Sequence, residues 1–184
     1  MDIARRAFLH GHRSLQTAAP RRPPWAVDEA LFQHICFRCG ACVTNCPTGL
    51  LVQGAGGFPE ADFHRGHCTF CADCAHACAA AVRKNGFRHD PALAFSPEHP
   101  PWTLRAGIGA DCLPGKGVLC RSCEDHCEAG IIRFVPRIGA PAQPDIETSV
   151  CTGCGECVAA CPAGAISMRS GVSPPSSTSK GLCS

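Results

Sequence analysis

An α+β chain of two small modules in tandem is the fold class predicted for this 184-residue sequence, and three observations predict it. First, sixteen of the seventeen cysteines fall into four tight quartets: Cys36, Cys39, Cys42, Cys46; Cys68, Cys71, Cys74, Cys78; Cys112, Cys120, Cys123, Cys127; and Cys151, Cys154, Cys157, Cys161. Second, each quartet ends in a short apolar exit: Gly49-Leu50-Leu51-Val52, Ala80-Ala81-Val82, Gly130-Ile131-Ile132 and Gly164-Ala165-Ile166. Third, the first two quartets begin 32 residues apart, and Cys120 and Cys151 lie 31 apart. A repeat of that length is one supersecondary unit, here a loop, a short helix around the fourth cysteine and a short strand. Taken in pairs, the units give modules at 30–83 and 108–169, each with pseudo-two-fold symmetry.

The spacing names the chemistry. Three quartets read C-x2-C-x2-C-x3-C, the run by which bacterial ferredoxins wrap a 4Fe–4S cluster, so the modules are predicted to be ferredoxin-like. Cysteines at steps of three let a short loop curl over one side of the cube, with backbone N–H groups turned toward the sulfurs. Gly40, Ala41, Gly153 and Gly155 are small enough to permit the curl. In two-cluster ferredoxins the fourth cysteine ligates the other cluster. That crossover predicts four ligand sets: Cys36, Cys39, Cys42 with Cys78; Cys68, Cys71, Cys74 with Cys46; Cys112, Cys120, Cys123 with Cys161; and Cys151, Cys154, Cys157 with Cys127. Spacing alone also allows an unswapped arrangement. Pro47 and Pro162 complete the C-P ending, whereas Ala79 and Glu128 depart from it.

Two other uses of cysteine fit less well. Structural zinc takes paired C-x2-C motifs separated by a longer loop, unlike four cysteines within eleven residues repeated three times. A disulfide scaffold suits a small secreted chain, but here the cysteine total is odd, the spacing is periodic and no cleavable signal peptide is visible. The third quartet is stretched: Cys112 lies eight residues before Cys120. Pro114, Gly115 and Gly117 allow the intervening loop to fold back, so four clusters are expected, with three as the alternative.

The modules cannot rest on a large apolar core, because tyrosine is absent and aromatics are 6% of residues. Metal binding is therefore expected to carry much of the folding free energy. The formal charge of +2 treats cysteines as neutral. With thiolates and oxidised cores counted, the loaded chain stands at about −6, or about −4 with three clusters. A nucleic-acid partner is unsupported by that charge.

Residues 1–29 form an N-terminal segment whose Arg5-Arg6 resembles a twin-arginine export start, but no apolar run follows. No stretch reaches the ~20 apolar residues of a membrane span. A cytoplasmic, reducing location is therefore expected. Residues 84–107 are expected to be a linker or a loop covering the clusters, and the Ser/Pro-rich 170–184 a disordered tail carrying Cys183, read as an incidental thiol. His64, His67, His76 and His126 lie near cysteines, but each cluster already has four thiolates. No catalytic residue is assigned. Arg38 in the first loop is expected to raise that cluster's potential, and Asp73 and Glu156 to lower theirs.

Beyond the cysteines, the chain resembles the NapF-type ferredoxins of periplasmic nitrate reductase operons over about residues 2–169. The residues that carry the resemblance are Arg5-Arg6 with Phe8-Leu9, Arg22-Pro23-Pro24-Trp25, and the first quartet with Gly54-Ala55-Gly56-Gly57-Phe58-Pro59. They continue through Ser96-Pro97, the elongated third quartet with Arg121, and Cys151-Thr152-Gly153-Cys154-Gly155. The Ser/Pro tail is not part of the pattern. The resemblance implies a cytoplasmic accessory protein with several 4Fe–4S clusters. Its partner would be the catalytic molybdenum subunit of periplasmic nitrate reductase, contacted before export. Passing electrons and assisting that subunit's maturation are the implied roles; a general soluble multi-cluster carrier is the alternative, and a zinc-stabilised interaction protein a distant third.

Overall fold

The computed structural model describes residues 20–85 and 94–170. The twin-arginine start, residues 86–93 of the expected linker, and 171–184 with Cys183 lie outside the described residues. Among the described residues, no helix is long and apolar enough to cross a membrane.

The first half opens with α1 (Glu29–Ile35). Asp28 caps it by accepting from the Leu31 N–H at 3.1 Å, and Glu29 places negative charge in the first turn. Its buried face is Phe32 and Ile35, three residues apart on one side of the helix. The chain then becomes extended at Cys36 and enters the first cysteine loop. A one-turn helix, α2 (Ala41–Thr44), follows and surrounds the third cysteine, Cys42; the fourth, Cys46, comes just after it. β1 (Leu51–Gln53) pairs antiparallel with β2 (Pro59–Ala61), Leu51 opposite Ala61. The second quartet leads into α3 (Asp73–Asn85), which carries both Cys74 and Cys78.

The second half repeats the scheme. β3 (Leu104–Ile108) pairs with the last strand, β6 (Ile166–Ser170), Leu104 opposite Ser170. Between them lie α4 (Ser122–Asp125), the hairpin of β4 (Ile132–Arg137) and β5 (Ala140–Ile146), and α5 (Glu156–Ala159). The hairpin pairs Ile132 with Ile146 and has an irregularity between Val135 and Arg137. Each half thus has a central hairpin. The outer pair is a full sheet in the second half and shrinks to a single bridge, Ala26 to Phe95, in the first.

The shrinkage has a local cause and corrects one expectation. Ala80-Ala81-Val82 is not an exit strand; it continues α3. At the other three exits the residue three past the fourth cysteine is Gly49, Gly130 or Gly164, each with positive φ (67°, 62°, 58°). That left-handed residue ends the helical turn. The second unit has Ala81 there, inside an alanine run of high helix propensity, so the helix runs on.

The core is small and is shared with the cysteines. Phe32, Leu50, Phe63, Ile132, Ile166 and Met168 are buried in one cluster with Cys42, Cys68, Cys74, Cys123, Cys151 and Cys157. The two halves meet within it. Phe63 from the first packs edge-on against Trp102 at 5.4 Å. A methyl group on Gly155 of the second would sit inside the Phe63 ring edge. Arg21 clasps both halves, its Nη2 donating to the Met168 carbonyl at 2.8 Å and its own carbonyl accepting from the Ala61 N–H at 2.7 Å.

Candidate metal centres

Three cysteine loops share one backbone device. Two residues and four residues past the first cysteine, the chain turns left-handed: Arg38 and Gly40, Phe70 and Ala72, Gly153 and Gly155. Alternation of this kind turns successive N–H groups inward and makes a concavity suited to anions and iron–sulfur sites. Arg38, Phe70 and Ala72 are not glycine, so each is held there against roughly 1–2 kcal/mol of steric preference. The third loop differs. Its stretch forms a 3-10 turn, Leu113–Lys116, ended by left-handed Gly117. Gln143 on β5 fastens that turn, its Nε2 donating to the Pro114 carbonyl at 2.8 Å.

Four cavities lie under these loops, and each is ringed by at least four cysteines. Cys36, Cys39, Cys42 and Cys78 line the first. Cys68, Cys71, Cys74 and Cys46 line the second. Cys112, Cys120, Cys123 and Cys161 line the third. Cys151, Cys154, Cys157 and Cys127 line the fourth, where Cys68 also reaches in. In every case three cysteines come from one quartet and one from its partner quartet. The helices produce this exchange: Cys42 lies in α2 with Cys46 just after it, and Cys74 and Cys78 sit on α3, so cysteines four apart face neighbouring cavities. Cys123 and Cys127 around α4, and Cys157 and Cys161 around α5, do the same. The thiols ring the cavities instead of converging. Among the described residues, no three His, Cys, Asp or Glu side chains are placed to hold a single metal ion.

The donor chemistry suits a metal–sulfur group. Burial, followed by repulsion from neighbouring cysteines, pushes the Cys42 and Cys157 thiols up to about 12. Burial likewise pushes Cys74 up to about 12, against a backbone N–H from Ala75. Cys46 is the exception. Burial pushes it upward, but N–H groups from Leu51, Thr48 and Leu50 act against that and it is held below its ordinary value. Thr48 Oγ1 lies 3.6 Å from Cys46 Sγ and donates to the His67 carbonyl at 2.6 Å. Other N–H groups also aim at sulfur: Phe70 at Cys68 (3.4 Å) and Ala165 at Cys161 (3.3 Å). Thiols buried together with inward donors are what a negatively charged cluster with thiolate ligands requires.

The histidines play lesser parts. His126 Nδ1 lies 2.8 Å from the Ser122 carbonyl, and His64 is exposed. Sequence reasoning missed two groups. One is Thr48, for which C-P-T offers no distinct signal. The other is the place of Arg22, which the sequence reading used only for the resemblance and which lies over the rings of Phe32 and Phe58 at 5.5 and 5.1 Å, beside Cys36.

Comparison with known proteins agrees with this chemistry. Residues 35–82 and 118–165 each match the 4Fe-4S dicluster domain. The second match begins after Cys112. The ferredoxin-type protein NapF of Escherichia coli (strain K12) is 40% identical over 167 residues, covering 90% of this chain and 94% of that protein. NapF of Haemophilus influenzae is 38% identical over 177 residues, covering 91% and 94%. The methylamine utilization ferredoxin-type protein MauM of Methylophilus methylotrophus is 30% identical over 168 residues, covering 81% and 69%. The chain is therefore an iron–sulfur protein of electron-transfer type, built from two dicluster domains.

Proposed function

The chain belongs to the NapF family of ferredoxin-type proteins, and from that membership we propose that it carries four 4Fe–4S clusters and serves the catalytic molybdenum subunit of periplasmic nitrate reductase. In this proposal it acts in the cytoplasm, before that subunit is exported, passing electrons and assisting the subunit's maturation. The observation that carries the cluster count is the set of four cavities, each ringed by three cysteines of one quartet and one of its partner quartet, with Cys68 a fifth at the last. Cys36, Cys39, Cys42 and Cys78 hold the first cluster. Cys68, Cys71, Cys74 and Cys46 hold the second. Cys112, Cys120, Cys123 and Cys161 hold the third, and Cys151, Cys154, Cys157 and Cys127 the fourth. Bound there, such clusters supply one-electron chemistry.

The residues around them do the rest. Inward N–H groups of the left-handed loops balance cluster charge. Phe32, Ile35 and Phe95 keep water from the first cavity, and Ile108, Phe134 and Ile166 from the third. No nucleic acid is involved.

Two measurements test the proposal. Anaerobic iron and sulfide quantitation is expected to give about sixteen iron atoms per chain, and about twelve would remove the third cluster. Affinity capture is expected to retain the unexported reductase subunit. Rapid electron exchange with unrelated reductases, and no such capture, would replace the accessory role with a general soluble carrier.

A further inference from the structure

We infer that the four cavities form one unbranched row, in the order first, second, fourth, third, so that the two modules make a single conduit and not two separate pairs. The inference rests on the cluster-carrying role proposed above and adds the joint between the modules.

Within each module the neighbours are set by the helical turns. Cys42 and Cys46, like Cys74 and Cys78, face the first and second cavities, the latter pair from positions about 6 Å apart along α3. Cys123 with Cys127, and Cys157 with Cys161, link the third and fourth in the same way.

The joint lies between the second and fourth. The Cys68 N–H donates to the Cys154 carbonyl at 2.8 Å, a direct backbone hydrogen bond from one cysteine loop to the other. His67, Cys68 and Thr69 line both cavities. Phe63, seated over Gly155, clamps the two loops together. The first and third cavities share no lining residue with any of the others. They are the ends of the row, although their quartets stand first and third along the chain.

Each transfer along the row oxidises one centre by one electron and reduces its neighbour by one, with no atom moved. The reductant at one end and the oxidant at the other are one-electron carriers.

Electron paramagnetic resonance of the loaded, dithionite-reduced full chain tests the order, since reduced centres close together split each other's signals. Cys39 and Cys71 are both exposed ligand positions, one at an end of the row and one inside it. Cys71→Ser is expected to abolish one signal and to change the splitting of two others, one in each module. Cys39→Ser is expected to change only one other. Cys46→Ser, at the position the second cavity takes from the first quartet, repeats the Cys71→Ser result should that variant fail to assemble. A second-module spectrum unchanged by loss of the second centre, or a wild-type spectrum equal to two independent pairs, overturns the row. Iron content separates this from the parent proposal. A wild-type chain with about twelve irons overturns the four-cluster count, while the joint between second and fourth is still decided by Cys71→Ser.

Discussion

Arg22 shows how one side chain serves packing and electrostatics together. Its Nε donates to Glu29 Oε2 at 2.7 Å, Glu60 lies 3.6 Å from Nη1, and its guanidinium covers Phe32 and Phe58. Arg38 also lies over Phe58, at 5.2 Å. Hydrogen bonding to Arg22 holds the Glu29 carboxyl below its usual range. Both arginines favour the thiolate of Cys36, although burial dominates there and pushes that thiol up. Arg22→Met is expected to remove about 2 kcal/mol of stability, from the charged hydrogen bonds and ring contacts together. It should speed bleaching of the visible chromophore in denaturant and lower the potential of the first centre. Proton competition is a second expectation. Cys42, Cys74 and Cys157 hold their protons up to about 12, chiefly through burial. Below that pH iron must displace a proton from each, so loading releases protons and weakens as pH falls. Reconstitution at limiting iron, followed by visible absorbance across pH, is expected to show loading rising toward alkaline pH; a flat profile would contradict it.

Whether a unit ends in helix or strand is decided just past its fourth cysteine. The C-P ending resembles a stop signal, yet the third unit has Glu128 in that place and still turns into a strand at Ile132. The three turning units share a glycine three residues past the fourth cysteine, and the second unit lacks it. Gly130 tests this cleanly, because a methyl group there would meet nothing within 4 Å. Gly130→Ala is expected to cost about 1–2 kcal/mol purely through its left-handed backbone, read as a faster rate of cluster loss in denaturant. Within α3, Ala80 is exposed, and Ala80→Gly is expected to cost about 1 kcal/mol through helix propensity. The repeat, the strands after quartets one, three and four, and the sixteen cysteines were legible in the chain because their signals are local. The loss of the second unit's strand was signalled by Ala81 standing where the others have glycine, but the apolar exit masked that signal.

The assembled molecule depends on one joint. Phe63, Trp102 and Gly155 fill it, and Arg21 spans it. Unlike Gly130, Gly155 has no room for a methyl group. Gly155→Ala combines left-handed strain with overpacking against Phe63, a cost of roughly 2–4 kcal/mol. Limited proteolysis is expected to cut between the modules of this variant faster than in the wild type, with each module's iron retained for longer than the joint. Equal proteolysis rates would show that the joint is not what holds the modules together. Residues 94–103 contribute to the same joint: Trp25 donates to the Pro101 carbonyl at 2.6 Å, and Ser96 to the Trp25 carbonyl at 2.7 Å.

Cysteine type and spacing determined the metal–sulfur chemistry and the tandem repeat, because a loop that wraps a cluster is encoded within a short local run, and short motifs outside the quartets carried the family. The crossover expectation named the cysteines that share each cavity but spacing alone also allowed an unswapped arrangement, and which cavities are neighbours across the modules could not be read from spacing at all. The exchange of the fourth cysteine depends on how helices from two units pack. The contact of Cys68 with Cys154 joins residues 86 positions apart, brought together by Phe63 closing over Gly155. Proximity across such a distance in sequence is a property of packing, and no local spacing encodes it.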